Sequence, residues 1–333
     1  MTRIPNLRIA IVGAGLMGRA HARASARVGA KIVAITDADL VAANTLASSV
    51  GARAALPDDI LDADRVDAIH ICTPVSKHVE WCSRAIERGI HVLCEKPLAE
   101  NAADTAALFD LAAERGVLLC PVHQFPFQQG AIAASERLTT IGKVRWITAE
   151  MCTAGAATVV DSMHDEIVLG IVPHPLSLIL AFLGGPIADG EWNSAHADRG
   201  EVLVAGTVRD TGVSIVLSTH GRPTSNTMRL IGERGSIALD LFHGFSTIET
   251  GRVSRMRKLA RPFVSSARTL SAASSNALRR GIARETEFPG LTQLCRRFYL
   301  AADKRAEPPI LAAEAIDIAT VRDRIIASVV QSA

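Results

Sequence analysis

The sequence predicts an α/β protein in two parts. A parallel sheet covered by helices on both faces comes first; a second α/β part with a largely antiparallel sheet follows. Three observations predict this. The first 123 residues alternate near-continuous apolar runs with amphipathic stretches, as buried parallel strands and their covering helices do. The apolar run Ile9–Val12 leads at once into Gly13-x-Gly15-x-x-Gly18. After His123 the strand-like segments alternate polar and apolar residues, with glycine turns at Asp210-Thr211-Gly212 and Gly232-Glu233-Arg234-Gly235.

In chain order, strands are expected at 7–12, 31–36, 66–72, 90–94 and 117–122, and helices at 16–28, 39–50, 77–88 and 102–115, with a helical turn near 57–62. Asp37 and Asp39 precede the second helix, where an acid suits a helix start. The pattern changes after His123. A helix is expected near 128–140, then strands at 143–153, 201–208, 212–219, 226–232 and 235–241. A buried helix at about 174–183 stops at Gly184-Gly185-Pro186, and helices near 290–304 and 312–330 close the chain. No internal repeat is found. The domain division is therefore 1–123 and 124–333.

The bulk numbers narrow the class. A chain of 333 residues with 48% hydrophobic and 21% charged residues is globular and long enough for two domains. A net charge of +2 gives no reason to expect nucleic acid. The six cysteines, Cys72, Cys82, Cys94, Cys120, Cys152 and Cys295, form no Cys-x-x-Cys pair. Several sit in or beside expected strands, which points to a reducing cytoplasm. The first strand starts almost at the N-terminus, so no signal peptide is expected. The most apolar stretch, 167–183, is interrupted by Pro173-His174-Pro175 and reads as a buried helix and its approach.

The glycine loop carries the first functional signal. Gly13 permits the sharp turn, Gly15 lets backbone approach a pyrophosphate, and Gly18 lets the helix pack on the strand. The helix N-terminus adds unpaired N–H groups and a positive dipole end. A second strand ends in Asp37, at about the 20-residue spacing where an acid meets the adenosine ribose. Asp37 repels a 2′-phosphate and no Arg or Lys directly follows it, which favours NAD over NADP. This is the Rossmann dinucleotide-binding unit.

Ligands of such sheets bind beyond the carboxyl ends of the strands. Three strand ends there carry polar groups: Thr73-Pro74, Glu95-Lys96-Pro97 and His123-Gln124. Lys96 is placed to hold negative charge on a substrate oxygen. Its other reading is a structural ion pair with Glu95.

Gly13-Ala14-Gly15-Leu16-Met17-Gly18-Arg19-Ala20-His21, Thr73-Pro74 with His78, and Glu95-Lys96-Pro97 together resemble the glucose–fructose oxidoreductase/inositol dehydrogenase (Gfo/Idh/MocA) family. The resemblance implies a Rossmann domain plus a C-terminal α/β domain with an open, mostly antiparallel sheet that often mediates dimers or tetramers. It implies NAD(P)-dependent oxidation or reduction of sugars, cyclitols and related compounds. The cofactor-binding set is then Gly13, Ala14, Gly15, Leu16, Met17, Asp37, Thr73, Pro74, His78, Glu95, Lys96 and Gln124. Lys96 matches the family's active-site lysine. The family's Asp-x-Gly-x-His is here Gly170-Ile171-Val172-Pro173-His174, so His174 matches the histidine and Gly170 replaces the acid.

Lys96 and His174 are therefore the catalytic candidates, with His174 exchanging the hydroxyl proton. His174 reads otherwise as a helix-start histidine that orders backbone. His164-Asp165-Glu166 lies upstream as a substitute acid or as a polar loop. His164, Asp165 and His174 do not demand a metal, and none is expected.

The segment 252–284 carries nine Lys and Arg residues and no acid, leaving the rest of the chain at about −7. Its apolar residues recur at roughly helical spacing, but Pro262 is expected to break any continuous helix. It reads as a basic amphipathic element against a membrane surface or an anionic substrate, or as a solvated insertion. The expected function is hydride transfer between NAD and a hydroxyl or carbonyl of a sugar derivative, nucleotide- or polyprenyl-phosphate-linked. A non-catalytic dinucleotide-binding regulator, an NAD-assisted glycosidase and an imine or double-bond reductase are the alternatives.

Overall fold

The structure, a computed structural model, describes residues 6–61, 66–154, 159–160, 163–251, 255–283 and 288–332. The chain divides into two compact units. One comprises Met1–Gln124 and Leu291–Ala319; the other comprises Phe125–Gly290 and Thr320–Ala333.

In the first unit the order is β1 (Arg8–Val12), α1 (Leu16–Val28), β2 (Lys31–Thr36), α2 (Leu40–Val50), β3 (Arg53–Ala54), β4 (Ala68–Ile71), α3 (His78–Glu87), β5 (His91–Cys94), α4 (Ala102–Arg115) and β6 (Leu119–Pro121). The sheet runs β3-β2-β1-β4-β5-β6 and all its pairs are parallel. Period-two alternation sorts β1 between two cores. Ala10 and Val12 join Trp81, Ile86 and Leu108 from α3 and α4, while Ile11 joins Ala22, Leu46 and Ala47 from α1 and α2. Asp39 caps α2 by accepting the Val41 N–H at 2.8 Å, and Asn101 caps α4 by accepting the Asp104 N–H at 2.8 Å. The two-residue β3 is too short to leave a periodic signal. Residues 57–61 form turns rather than a helix, and residue 62 lies outside the described residues.

The second unit opens with α5 (Gln129–Glu136) and α6 (Leu138–Ile141), two pieces where the sequence suggests one helix. There follow β7 (Val144–Cys152), α7 (His164–Ile171), α8 (Pro173–Leu183), β8 (Glu191–Asp198), β9 (Glu201–Val208), β10 (Thr211–Ser218), β11 (Ser225–Gly232), β12 (Gly235–Asp240), β13 (Phe245–Thr250) and α9 (Arg255–Ile282). The sheet order is β13-β12-β11-β7-β10-β9-β8. Every pair is antiparallel except β7 with β10. One face buries Ile147, Met151, Val204, Ile215, Leu230 and Ile237, while the other leaves Trp146, Leu203, Val216 and Ile231 exposed. The sheet is therefore open on one side. The polar edge strands β8 and β13 escape sequence detection because they bury little apolar surface.

Three expectations need correction. Residues 291–319 belong with the first unit, not the second. There α10 (Leu291–Ala302) packs on α1 and buries Leu294, Cys295, Phe298 and Tyr299, a long-range contact that local patterning cannot reveal. His164-Asp165-Glu166 is not a loop but the first turn of α7. Pro262 does not break the basic segment: α9 runs through it for 28 residues. A helix-interior proline costs about 3 kcal/mol. The helix is anchored to β13 on both sides of the proline, by Arg261 to Glu249 at 2.6 Å and Arg268 to the Ile248 carbonyl at 3.2 Å. Residues 252–254 and 284 lie outside the described residues. The chain closes with α11 (Ala312–Ser332).

Residues 164–183 are long and apolar enough to cross a membrane by composition alone. Yet α8 buries Leu176, Leu178, Ile179, Leu180 and Phe182, as a core helix of a folded unit does.

Candidate active site

The glycine loop follows β1 directly. Gly13 has φ +99°, and a Cβ there would lie 2.5 Å from the Cys72 carbonyl oxygen, so only glycine makes this turn. A Cβ on Gly18 would lie 1.8 Å from the Gly13 carbonyl oxygen. Gly15 differs, because a Cβ there meets nothing within 4 Å. Its role concerns what approaches from outside, at the N-terminus of α1. Leu16 is exposed and Met17 half-buried beside it, and Ala14 is buried.

Asp37 braces this loop. Its Oδ2 accepts the Ala14 N–H at 2.5 Å and its Oδ1 accepts the Asp39 N–H at 2.8 Å. The carboxylate is thus held at the end of β2 with backbone donors to one side of each oxygen.

Register explains how distant residues reach one edge. Val12 pairs with Ile71, Ile71 with Cys94, and Cys94 with Pro121. Ala14, Thr73, Lys96 and His123 each lie two residues beyond that row, at the carboxyl edge of the parallel sheet. His78 ties two of these ends together. Its Nε2 is 2.8 Å from the Thr73 carbonyl oxygen and its Nδ1 is 2.9 Å from the Pro97 carbonyl oxygen. Its ring therefore shapes the site by holding the loops around Pro74 and Pro97. The Lys96–Pro97 peptide is cis.

Glu95 turns inward rather than pairing simply with Lys96. Its Oε1 lies 3.0 Å from His21 Nε2 and its Oε2 accepts the Lys96 N–H at 3.2 Å. Burial alone would raise its pKa; the His21 hydrogen bond and charge, with Lys96, outweigh that and hold the carboxyl below its ordinary value. The chain of contacts continues. His21 Nδ1 is 2.9 Å from His70 Nδ1, His70 Nε2 is 3.1 Å from the Tyr299 hydroxyl, and that hydroxyl is 2.7 Å from Ser25 Oγ. Burial, and then His21, pushes the His70 pKa well down. Among the described residues His21, His70 and Cys295 are a buried group with metal-ligand spacing. All four imidazole nitrogens are, however, engaged in these hydrogen bonds.

Sequence reasoning placed His21 inside a motif without giving it a role, and missed His70, Tyr299 and Ser25. A histidine inside the otherwise apolar strand Ala68–Ile71 was the available signal.

His123 is buried, and its pKa is pushed down to about 4, first by burial and then by the positive charge of Lys96. Thr73 Oγ1, His123 Nδ1 and Gln124 Oε1 are buried polar atoms with no hydrogen-bond partner among the described residues. Such atoms are costly unless a bound group satisfies them. With the clear space over Gly15, they fit a dinucleotide whose pyrophosphate meets the glycine loop and whose far end meets the ends of β4–β6.

His174 belongs to the second unit, in the first turn of α8. Its ring stacks on Phe125 at 4.2 Å between centroids and 9° between planes, which fixes its orientation. Gly170 stands one turn earlier, and a Cβ there meets nothing within 4 Å, so an acid was not excluded by space. His164 and Asp165 are engaged elsewhere. His164 Nδ1 is 2.8 Å from Thr219 Oγ1; Asp165 accepts the Gly200 N–H at 2.7 Å and lies 3.0 Å from His196. Their contacts knit α7 to β8, to the turn that follows it and to the residue just after β10.

Fold and loop together define a dinucleotide-binding protein of the doubly wound class. Residues 7–123 match the model of the GFO_IDH_MocA oxidoreductase family, described as an NAD-binding Rossmann fold. It is 34% identical over 209 residues to dTDP-3,4-didehydro-2,6-dideoxy-alpha-D-glucose 3-reductase of Streptomyces violaceoruber, covering 55% of this chain and 57% of that one. It is 32% identical over 163 residues to inositol 2-dehydrogenase 3 of Saccharopolyspora erythraea, covering 48% of each. The chain thus spans about half the length of these curated relatives. The fold is similar throughout to the WlbA dehydrogenase of Bordetella pertussis in complex with NADH and UDP-GlcNAcA. That likeness has TM-score 0.78 and 18% identity, covering 100% of this chain and 98% of the other.

Proposed function

We propose that the chain is an NAD-dependent oxidoreductase acting on a hydroxyl or carbonyl of an activated sugar, carried on a nucleotide or polyprenyl phosphate. One observation supports this above the others: Ala14, Thr73, Lys96 and His123 stand at one rank beyond the parallel strands, beside a glycine loop open at Gly15. A nicotinamide dinucleotide supplies hydride acceptance or donation when bound. Gly13, Ala14, Gly15, Leu16 and Met17 receive its pyrophosphate, and Asp37 accepts from its ribose hydroxyls. Asp37 is followed by no basic residue within α2's first turn, which favours NAD over NADP. Pro74, Glu95 and Gln124 line or shape the far end.

The chain's own residues handle charge and protons. The Lys96 ammonium holds negative charge on the reacting oxygen. His174, oriented by Phe125, takes the hydroxyl proton in oxidation and returns it in reduction. Gly170 leaves this histidine without the family's neighbouring acid. Support for an activated sugar comes from the relatives named a dTDP-sugar reductase and a dehydrogenase solved with UDP-GlcNAcA. The exposed sheet face with Trp146, Leu203, Val216 and Ile231 supports a homodimer or homotetramer, and six free thiols support a reducing cytoplasm.

The test is NADH formation or consumption against a panel of dTDP- and UDP-linked sugars and their keto forms. Turnover abolished by Lys96→Ala and cut about 10²-fold or more by His174→Ala is expected. Asp37→Ser should weaken NAD binding about tenfold while improving NADP binding. Tight NAD binding with no turnover of any sugar would overturn the reading in favour of a regulator.

A further inference from the structure

We propose that α9 is an in-plane membrane-docking helix that seats the chain on an anionic lipid surface. The helix is built opposite to an ordinary surface helix. Its inner side is polar: Arg261 pairs with Glu249, Arg268 donates to the Ile248 carbonyl, and Asn276 and Arg280 donate to the His243 carbonyl at 2.9 and 2.8 Å. Its outer side is apolar. Leu259, Phe263, Leu270, Leu278 and Ile282 are 67–79% exposed. At 100° per residue these five fall within an arc of about 140°, and the four anchors fall outside it. A fold that wanted only a solvated insertion would turn these faces the other way.

Charge selects the occupant. The segment 252–284 has nine positive residues and no acid, in a chain whose remainder is about −7. A two-fold pairing of α9 with α9 of a second copy would set arginine against arginine with no carboxylate on either helix. An anionic bilayer meets both demands at once. The apolar arc enters the acyl boundary, and the excess positive charge of the segment is drawn to the lipid phosphates. A nucleic acid would satisfy the charge but leave the five apolar side chains in water. The inference goes beyond the oxidoreductase reading and does not depend on it.

The full chain is tested by co-sedimentation with phosphatidylcholine vesicles containing about one-third phosphatidylglycerol, and with phosphatidylcholine alone. The expected result is pelleting with the anionic vesicles only, weakened by salt. The variant Phe263→Ser/Leu270→Ser should weaken it about tenfold or more, with NAD binding and far-UV circular dichroism unchanged. Both positions are exposed, so the variant is expected to fold. Failure to pellet with anionic vesicles at low salt overturns the proposal, as does equal pelleting with neutral ones. Pelleting that the variant does not weaken reduces α9 to a sticky basic surface and also overturns it. If the chain instead forms a dimer that Phe263→Ser/Leu270→Ser dissociates, with no vesicle binding, the occupant is a second copy and the proposal is wrong. Turnover of soluble sugars is a separate readout, so failure here and failure of the oxidoreductase reading are distinguishable.

Discussion

His21 Nε2 stands 3.0 Å from Glu95 Oε1, joining the first helix after the glycine loop to the residue beside Lys96. Both side chains are buried, and His21 is fully so. The pair links the dinucleotide loop to the strand end that carries the candidate catalytic lysine.

Breaking this pair should be costly. A buried carboxylate that loses its partner destabilises a fold by about 3–5 kcal/mol. His21→Ala is expected to lower stability in urea denaturation by about that amount. Adding Glu95→Gln should restore part of the loss, because the neutral amide needs less compensation. Strictly additive losses would show that the two residues are not coupled.

The three loop glycines should fail in different ways. Gly18→Ala forces a methyl onto the Gly13 carbonyl and is expected to cost about 3 kcal/mol of stability. Gly15→Ala has room within the protein itself and should leave thermal unfolding nearly unchanged, while weakening NAD binding about tenfold or more. Calorimetry on both variants, with and without NAD, separates the two roles.

Acid should destabilise the protein before its carboxylates protonate. His123 has its pKa pushed from the ordinary 6.5 down to about 4. Between those values the unfolded chain binds a proton that the folded chain refuses, so stability falls as pH drops through this window. The loss attributable to His123 is about 3 kcal/mol by pH 4, with His70 acting in the same direction. Glu95, held below its ordinary value, adds a loss at still lower pH. Urea midpoints measured from pH 7.5 to 4 should show the slope, and His123→Gln should flatten it.

Placing an acid at Gly170 is the sharpest test of His174. The open space at Gly170 should let Gly170→Asp fold with a melting temperature within about 2 °C of the parent. A carboxylate one helical turn before His174 should favour the charged imidazole. The acidic limb of kcat/KM would then move to higher pH. An unmoved limb would remove His174 from the proton path.

How much was legible follows from where the signals lie. The parallel strands of the first unit other than β3 are buried on both faces, so each shows within a short window. The positions of Gly13, Asp37 and Lys96 were legible because a positive-φ turn and two strand ends fall at fixed places in the strand–helix alternation. The edge strands β8 and β13 were not, because they contribute few buried apolar atoms. The Tyr299–His70–His21–Glu95 chain was not, because its members are drawn from α10, β4, α1 and the end of β5, separated by up to 229 residues between hydrogen-bonded partners.

The sequence by itself determined the doubly wound sheet and the glycine loop, since local periodicity and backbone sterics dictate these residue by residue. Only the tertiary structure decided that α10 returns to the first unit, that Glu95 faces His21, and that α9 continues through Pro262 with its apolar face outward. Those outcomes depend on long-range packing and on which side of a helix finds hydrogen-bonding partners. Neither is written in any single stretch of chain.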